Sequence, residues 1–315
     1  MIKAVIVSSL LALPAFSLAQ VEQAPPSAGA QPADKTAELV ADANAVVIAS
    51  GFKFTEGPLW DGDALLFCDL QGDTIYRIKP GEKPAIPADS EKFRAPSGRA
   101  AGLTFDGEGR LLCAQFNGKV TRSKQPHPKA GAEYDILTEH SAESPLKSAN
   151  DIVVAKDATI YFTDFGGGAL KRIAADGKVS VIATKLKAPN GLTLSQDQKK
   201  LFVAEYGGQN VKVLDIATDG TTSEPRDFAS TKGEGPGSPD GMKTDERGNI
   251  YTTGPGGIWV FTEAGEKLGI IKAPGVSNFC FGGEDGKTLF MTAGAEVRSI
   301  KMKVSGVKAP VAPGK

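Results

Sequence analysis

Residues 238–261 read SPDGMKTDERGNIYTTGPGGIWVF, and the spacing of their apolar runs decides the fold. IYTTG (250–254) and GIWVF (257–261) are rich in β-branched and aromatic residues, and a Pro-Gly turn separates them. A shorter apolar run around Met242 precedes them across the polar turn DERGN. Asp240-Gly241, a dipeptide that ordinarily marks a hairpin turn, stands before that first run. It lies too close to DERGN for both to be turns, so Asp240 asks for another role.

The module recurs six times. The strands equivalent to IYTTG are LLFCD (65–69), LLCAQ (111–115), IYFTD (160–164), LFVAE (201–205) and LFMTA (289–293). Each leads to a third strand: TIYRI, KVTRS, ALKRI, NVKVLDI, GIWVF and EVRSI in turn. The repeat distance of about 40–50 residues is the period of a four-stranded propeller blade. No segment of helical period intervenes, and WD40 signatures are missing. The expectation is an all-β, six-bladed β-propeller spanning residues 45–303. The last repeat ends near EVRSIKMKV, before a Pro-rich stretch that makes a poor strand. AVVIAS (45–50) is therefore expected to supply the outer strand of the sixth blade and close the ring.

Aligning the segments before the second strands gives TEGPLW, AAGLTF, ANDIVV, PNGLTL, PDGMKT and VSNFCF. Asp240 falls opposite Glu56, Ala101, Asn150, Asn190 and Ser277. The first strand of a blade lines the central channel, so this position is expected at one channel mouth. Glu56, Asn150, Asn190 and Asp240 would then converge from four blades. Two carboxylates and two amides form a hard, oxygen-only set that suits Ca²⁺, with Mg²⁺, Mn²⁺ or Zn²⁺ left open as the divalent cation. Taken singly, each of these residues would be an ordinary turn or surface polar group; their common register points to a shared metal site.

Lys plus Arg (36) nearly balance Asp plus Glu (37) without clustering, which argues against a nucleic-acid surface. Only His127 and His140 are present, both in the irregular stretch between repeats two and three, so Ser-His-Asp and Cys-His chemistry lack a base. Cys68, Cys113 and Cys280 sit in apolar runs and read as buried thiols. At the start, Lys3, the apolar run Ala4–Phe16, and small Ser17 and Ala19 read as a secretory signal peptide over 1–19. Residues 20–44 read as a flexible leader and 304–315 as a loose tail. A periplasmic or secreted protein without a membrane span is expected.

FTEGPLW, SANDIVV, IYFTD, APNGLTLSQDQKKLFVAE, PDGMKTDERGNIYTTGPGGIWVF and FGGEDGKTLFMTAG together resemble the gluconolactonase/regucalcin (senescence-marker protein) family, over about residues 50–301. The resemblance implies a six-bladed propeller with one catalytic divalent cation, usually Ca²⁺, held by Glu56, Asn150, Asn190 and Asp240. It implies hydrolysis of sugar lactones or related esters, with Asp240 as general base and Glu56 fixing the metal. Phe116, Asn117, Phe165 and Tyr206, each following a second strand, are candidates for binding a small-molecule lactone. Asp151 and Asp164 are candidates for supporting the metal ligands, or for capping turns. The chain departs from the family at Lys147, Ser148 and Ala149, at CAQFNGK (113–119) and at FGGG (165–168), all on the substrate rim. Phosphotriester hydrolysis at the same metal, and a ligand-binding propeller with a structural cation, are the alternatives.

Overall fold

The computed structural model describes residues 34–307, apart from 82 and 143–144. The expected signal peptide, the leader up to residue 33 and the tail from residue 308 lie outside the described residues. A short 3-10 helix, Thr36–Glu38, leads into β1 (Val40–Ser50). Blade 1 is β2 (Thr55–Trp60), β3 (Leu65–Asp69), β4 (Thr74–Ile78) and β5 (Glu91–Arg94). Blade 2 is β6 (Ala100–Phe105), β7 (Leu111–Gln115), β8 (Lys119–Ser123) and β9 (Tyr134–Glu139). Blade 3 follows as β10 (Ala149–Val154), β11 (Ile160–Asp164), β12 (Ala169–Ile173) and β13 (Val179–Ala183). Blade 4 is β14 (Pro189–Leu194), β15 (Lys200–Glu205), β16 (Asn210–Asp215) and β17 (Arg226–Ser230). Blade 5 is β18 (Met242–Thr244), β19 (Ile250–Gly254), β20 (Gly257–Phe261) and β21 (Lys267–Lys272). Blade 6 takes β22 (Asn278–Gly282), β23 (Thr288–Ala293) and β24 (Glu296–Met302), with β1 as its outer strand.

Every blade is an antiparallel meander, and β1 pairs with β24 from Val40 opposite Met302 to Ser50 opposite Glu296. Ring closure therefore joins the two ends of the propeller. Residues 36–44, expected in the leader, belong to the packed propeller. Leu39 is buried against blades 5 and 6, and its carbonyl accepts from Lys303 N–H at 2.7 Å. Residues 304–306, expected in the tail, also pack on the ring: Val304 is buried and Gly306 bridges to Asp245. Leu39 anchors the first segment against the ring and Val304 the second, and both segments are short, which concealed them.

The apolar core consists of six clusters, one in each gap between neighbouring blades. Phe67 and Leu65 of blade 1 meet Phe290 and Cys280 of blade 6, with Ile48 of β1 among them. Phe202 and Val213 of blade 4 meet Met242 and Ile250 of blade 5. The three cysteines are free and buried in such gaps. The middle strands β3, β7, β11 and β19 are buried along their whole length, which gives them near-continuous apolar runs. Among the described residues no helix is long and apolar enough to cross a membrane.

Candidate active site

Inner strands place the aligned residues at one end of the channel. In blades 1, 2, 3 and 4 the ladder between first and second strands shifts register at or next to this position: between Glu56 and Leu59, Ala100 and Gly102, Ala149 and Ile152, and Pro189 and Leu192. A bulge there re-aims a side chain that would otherwise follow the pleat. In blade 5 the residue stands just ahead of the strand: Asp240 N–H donates to Thr253 Oγ1 at 2.7 Å instead of to a ladder carbonyl.

The position after each aligned residue explains the glycines. A Cβ on Gly57 would collide with Ala101 O of the next blade. One on Gly102 would lie 2.6 Å from Asn150 O, and one on Gly191 would lie 2.8 Å from Met242 N and closer still to Asp240 O. Gly241 abuts Asn278 in the same way. Hydrogen bonds accompany the contacts: Gly191 N–H to Asp240 O at 2.9 Å, Gly241 N–H to Ser277 O at 2.9 Å, and Asn278 Nδ2 to Glu56 Oε2 at 3.2 Å. Thr163 Oγ1 of blade 3 donates to Asn190 O of blade 4 at 2.7 Å. Blade by blade, the contacts run around the axis and close on Glu56. Asp240-Gly241 is thus a close inter-blade approach, and not a hairpin turn.

The electrostatics of the ring are those of crowded anions. Burial pushes the Glu56 carboxyl up to about 7; hydrogen bonds from Gly57, Ser277 and Asn278 oppose this and the Asp151 charge adds to it. Burial, then the charges of Glu56 and Asp151, hold Asp240 well above the ordinary carboxylate range. Burial also raises Asp151, against the Lys243 charge and the N–H groups of Ile152 and Leu192. Among the described residues, no protein donor satisfies the Asp240 carboxylate. Asn190 Oδ1 and Asp151 Oδ2 are buried without a partner, a condition that native interiors rarely tolerate. Two carboxylates and two amides, with an orphaned amide oxygen among them, fit a hard divalent cation. The ring is a mixed set, and no cluster of three His, Cys, Asp or Glu side chains suited to a metal occurs among the described residues.

Asp164 acts as a cap. Its Oδ1 accepts from the N–H groups of Lys147, Ser148 and Gly167 at 3.0–3.1 Å, and its Oδ2 pairs with buried Lys171 at 3.2 Å. Sequence reasoning missed that this device repeats. Asp69 accepts from Lys53 and Phe54 N–H, and Glu205 from Lys187 N–H. The signal was visible in the acidic or amide residue that ends LLFCD, LLCAQ, IYFTD and LFVAE. These side chains hold the loops that deliver Glu56, Asn150 and Asn190.

The rim candidates partly assemble. Phe116 packs on Phe165 with centroids 5.8 Å apart, and Phe165 meets Tyr206 edge-on at 6.0 Å. Phe116, Phe165 and Tyr206 N–H groups donate to the carbonyls of Arg99, Ser148 and Ala188, each two residues before its blade's aligned residue. The three rings thus form an arc on the mouth side of blades 2, 3 and 4, and Tyr206 is exposed. Asn117 is exposed beside Gly98.

A six-bladed propeller with a ring of carboxylate and amide oxygens at its channel mouth, under an aromatic rim, defines a propeller class with an axial polar site. The chain belongs to the SMP-30/gluconolactonase/LRE-like family, whose model matches residues 54–295. It is 29% identical over 296 residues to a gluconolactonase of Zymomonas mobilis, covering 82% of each chain. It is 28% identical over 258 residues to a pentonolactonase of Haloferax volcanii, covering 78% of this chain and 83% of that one. A gluconolactonase structure from Xanthomonas campestris superimposes with a TM-score of 0.72 at 26% identity, covering 85% of this chain and 92% of that one. A calcium-binding regucalcin of Agrobacterium tumefaciens shares the fold, with a TM-score of 0.67 at 16% identity over 87% of this chain and 97% of that one.

Proposed function

We propose that this protein is an exported, divalent-cation-dependent lactonase whose ring of Glu56, Asn150, Asn190 and Asp240 is the active site. The observation that carries the reading is the orphaned Asn190 Oδ1 in a ring that also holds the buried, crowded carboxyls of Glu56 and Asp240. Lactone chemistry is the activity named for the gluconolactonase and pentonolactonase relatives. Ca²⁺ is the first choice of ion, and its bound form would polarise the lactone carbonyl and offset oxyanion charge.

The chain's own residues do the rest. Gly57 N–H and Asn278 Nδ2 fix the Glu56 carboxylate. Asp240, only partly exposed at the mouth and ionised once a bound cation offsets its burial, would take a proton from the attacking water as the water oxygen bonds to the carbonyl carbon. The ring C–O bond then breaks, and Asp240 returns the proton to the departing alkoxide, giving the open hydroxy acid. The Phe116–Phe165–Tyr206 arc shields the site from bulk water, and Asn117 offers an amide to substrate hydroxyls. Signal-like residues 1–19 support a periplasmic or secreted location.

The test is acid release in a pH-stat from a panel of sugar lactones and a phosphotriester, with and without chelator. Chelator-sensitive opening of a lactone, abolished in Asp240→Asn, is expected. Activity that survives both chelator and Asp240→Asn would overturn the assignment. Phosphotriester cleavage alone would reassign the substrate, and silence on every substrate would leave a binding propeller.

A further inference from the structure

Ala101 and Ser277 leave blades 2 and 6 without a strong oxygen donor in the ring, and blade 2 carries Arg99 two residues before Ala101. Among the described residues, the Arg99 guanidinium makes no hydrogen bond or ion pair. Its carbon lies 5.5 Å above the Phe116 ring, at the head of the aromatic arc. The backbone is built to hold it there. Arg99 is exposed and has φ +55°, a left-handed conformation uncommon for a side-chain-bearing residue. Asp73 Oδ1 fixes that conformation by accepting from Arg99 N–H at 2.6 Å and from Ser97 Oγ at 3.0 Å. Phe116 N–H closes the loop on Arg99 O at 2.9 Å. A second observation points the same way. Lys53, Lys147 and Lys187 stand three residues before Glu56, Asn150 and Asn190, all exposed and without an ion-pair partner among the described residues. Blades 1 to 4 therefore present one basic residue each on the loop leading to the channel mouth.

We infer that Arg99 is a specificity residue for an anionic lactone. The substrate class is a sugar lactone carrying a carboxylate or phosphate on the carbon remote from the reacting carbonyl. This rests on the lactonase reading and deepens it. With its ring against Phe116 and Phe165 and its carbonyl over the oxygen ring, such a lactone directs its anion towards the guanidinium. A planar guanidinium held over an aromatic ring can meet a carboxylate or phosphate bidentately. The lysines on the neighbouring loops add attraction for an anion entering the mouth.

The experiment compares kcat/KM for a neutral hexonolactone, its counterpart oxidised to a carboxylate at the far carbon, and its phosphate ester. Wild type and two variants are assayed. Arg99→Asn suits the left-handed backbone and removes the charge, whereas Arg99→Lys keeps the charge and loses the planar fork. Wild type is expected to favour an anionic lactone over the neutral one at least tenfold. That preference should fall with added salt and drop at least tenfold in Arg99→Asn, through KM, with Arg99→Lys intermediate. The better anionic arm distinguishes carboxylate from phosphate. Calorimetric binding of the open hexarate and hexonate to the same three proteins reads the subsite independently of turnover. Hydrolysis of the neutral lactone with no anionic preference, or a preference unchanged in Arg99→Asn, overturns the role of Arg99 and leaves the lactonase reading standing. No turnover of any lactone, combined with Arg99-dependent binding of hexarate, overturns the lactonase reading and keeps the anion subsite.

Discussion

Stripping divalent cations from the protein should make its stability fall as pH rises, with Glu56 one of three raised carboxyls that contribute. The Glu56 carboxyl sits at about 7 in the fold against an ordinary 4.5. A raised acid binds its proton more tightly in the folded state, so its penalty is absent below pH 4.5 and complete above pH 7. At about 1.4 kcal/mol per pH unit, ionised Glu56 costs the cation-free fold on the order of 3 kcal/mol. Asp240 and Asp151 are displaced in the same direction, so their contributions add to the fall. For a propeller of this length, 3 kcal/mol corresponds to a drop in Tm of roughly 5 °C. The assay is thermal and urea unfolding of chelated protein between pH 5 and 8, repeated with Glu56→Gln and with saturating Ca²⁺. Chelated wild type should lose stability across that range, and Glu56→Gln should lose about 2.5 kcal/mol less. Excess Ca²⁺ should flatten the wild-type profile. A chelated wild type equally stable at pH 5 and 8, or one matched in slope by Glu56→Gln, would refute the reasoning.

Asn190→Ala should separate stability from cation binding. Because Asn190 Oδ1 is buried without a partner, its removal should leave chelated stability within about 1 kcal/mol of wild type. Ca²⁺ affinity by calorimetry should weaken at least tenfold, and unchanged affinity would remove Asn190 from the ligand set. Gly191→Ala should force the Asp240 peptide away from blade 4, destabilising by about 1–3 kcal/mol and cutting kcat/KM at least a hundredfold. Gly107→Ala, where an added Cβ meets nothing within 4 Å, is the matched control and should behave as wild type.

The middle strands were legible because they are the most completely buried. LLFCD, LLCAQ, IYFTD and IYTTG match β3, β7, β11 and β19 residue for residue. The outer strands were not. β9 (YDILTE) and β17 (RDFAS) contain no fully buried residue, and their pairing is fixed by the neighbouring strand more than by a pattern of their own. The leader boundary failed for a similar reason. β1 exposes residues 41–46 and is held by its ladder to β24, an interaction between opposite ends of the chain.

The sequence by itself determined the number of blades, the closing strand and the register that aligns Asp240 with Glu56, Asn150 and Asn190. Each is written as a repeated local pattern, and local patterns survive without coordinates. Tertiary structure decided what those residues experience. It showed that Gly57, Gly102, Gly191 and Gly241 let neighbouring blades touch around the axis, and that strand-end acids hold the delivering loops. It also brought the carboxyls of Glu56, Asp151 and Asp240 together out of water, and left the Arg99 guanidinium over Phe116 without an ion pair among the described residues. Charge cost, close approach and an unpaired guanidinium depend on distances between blades, which no single segment of chain encodes.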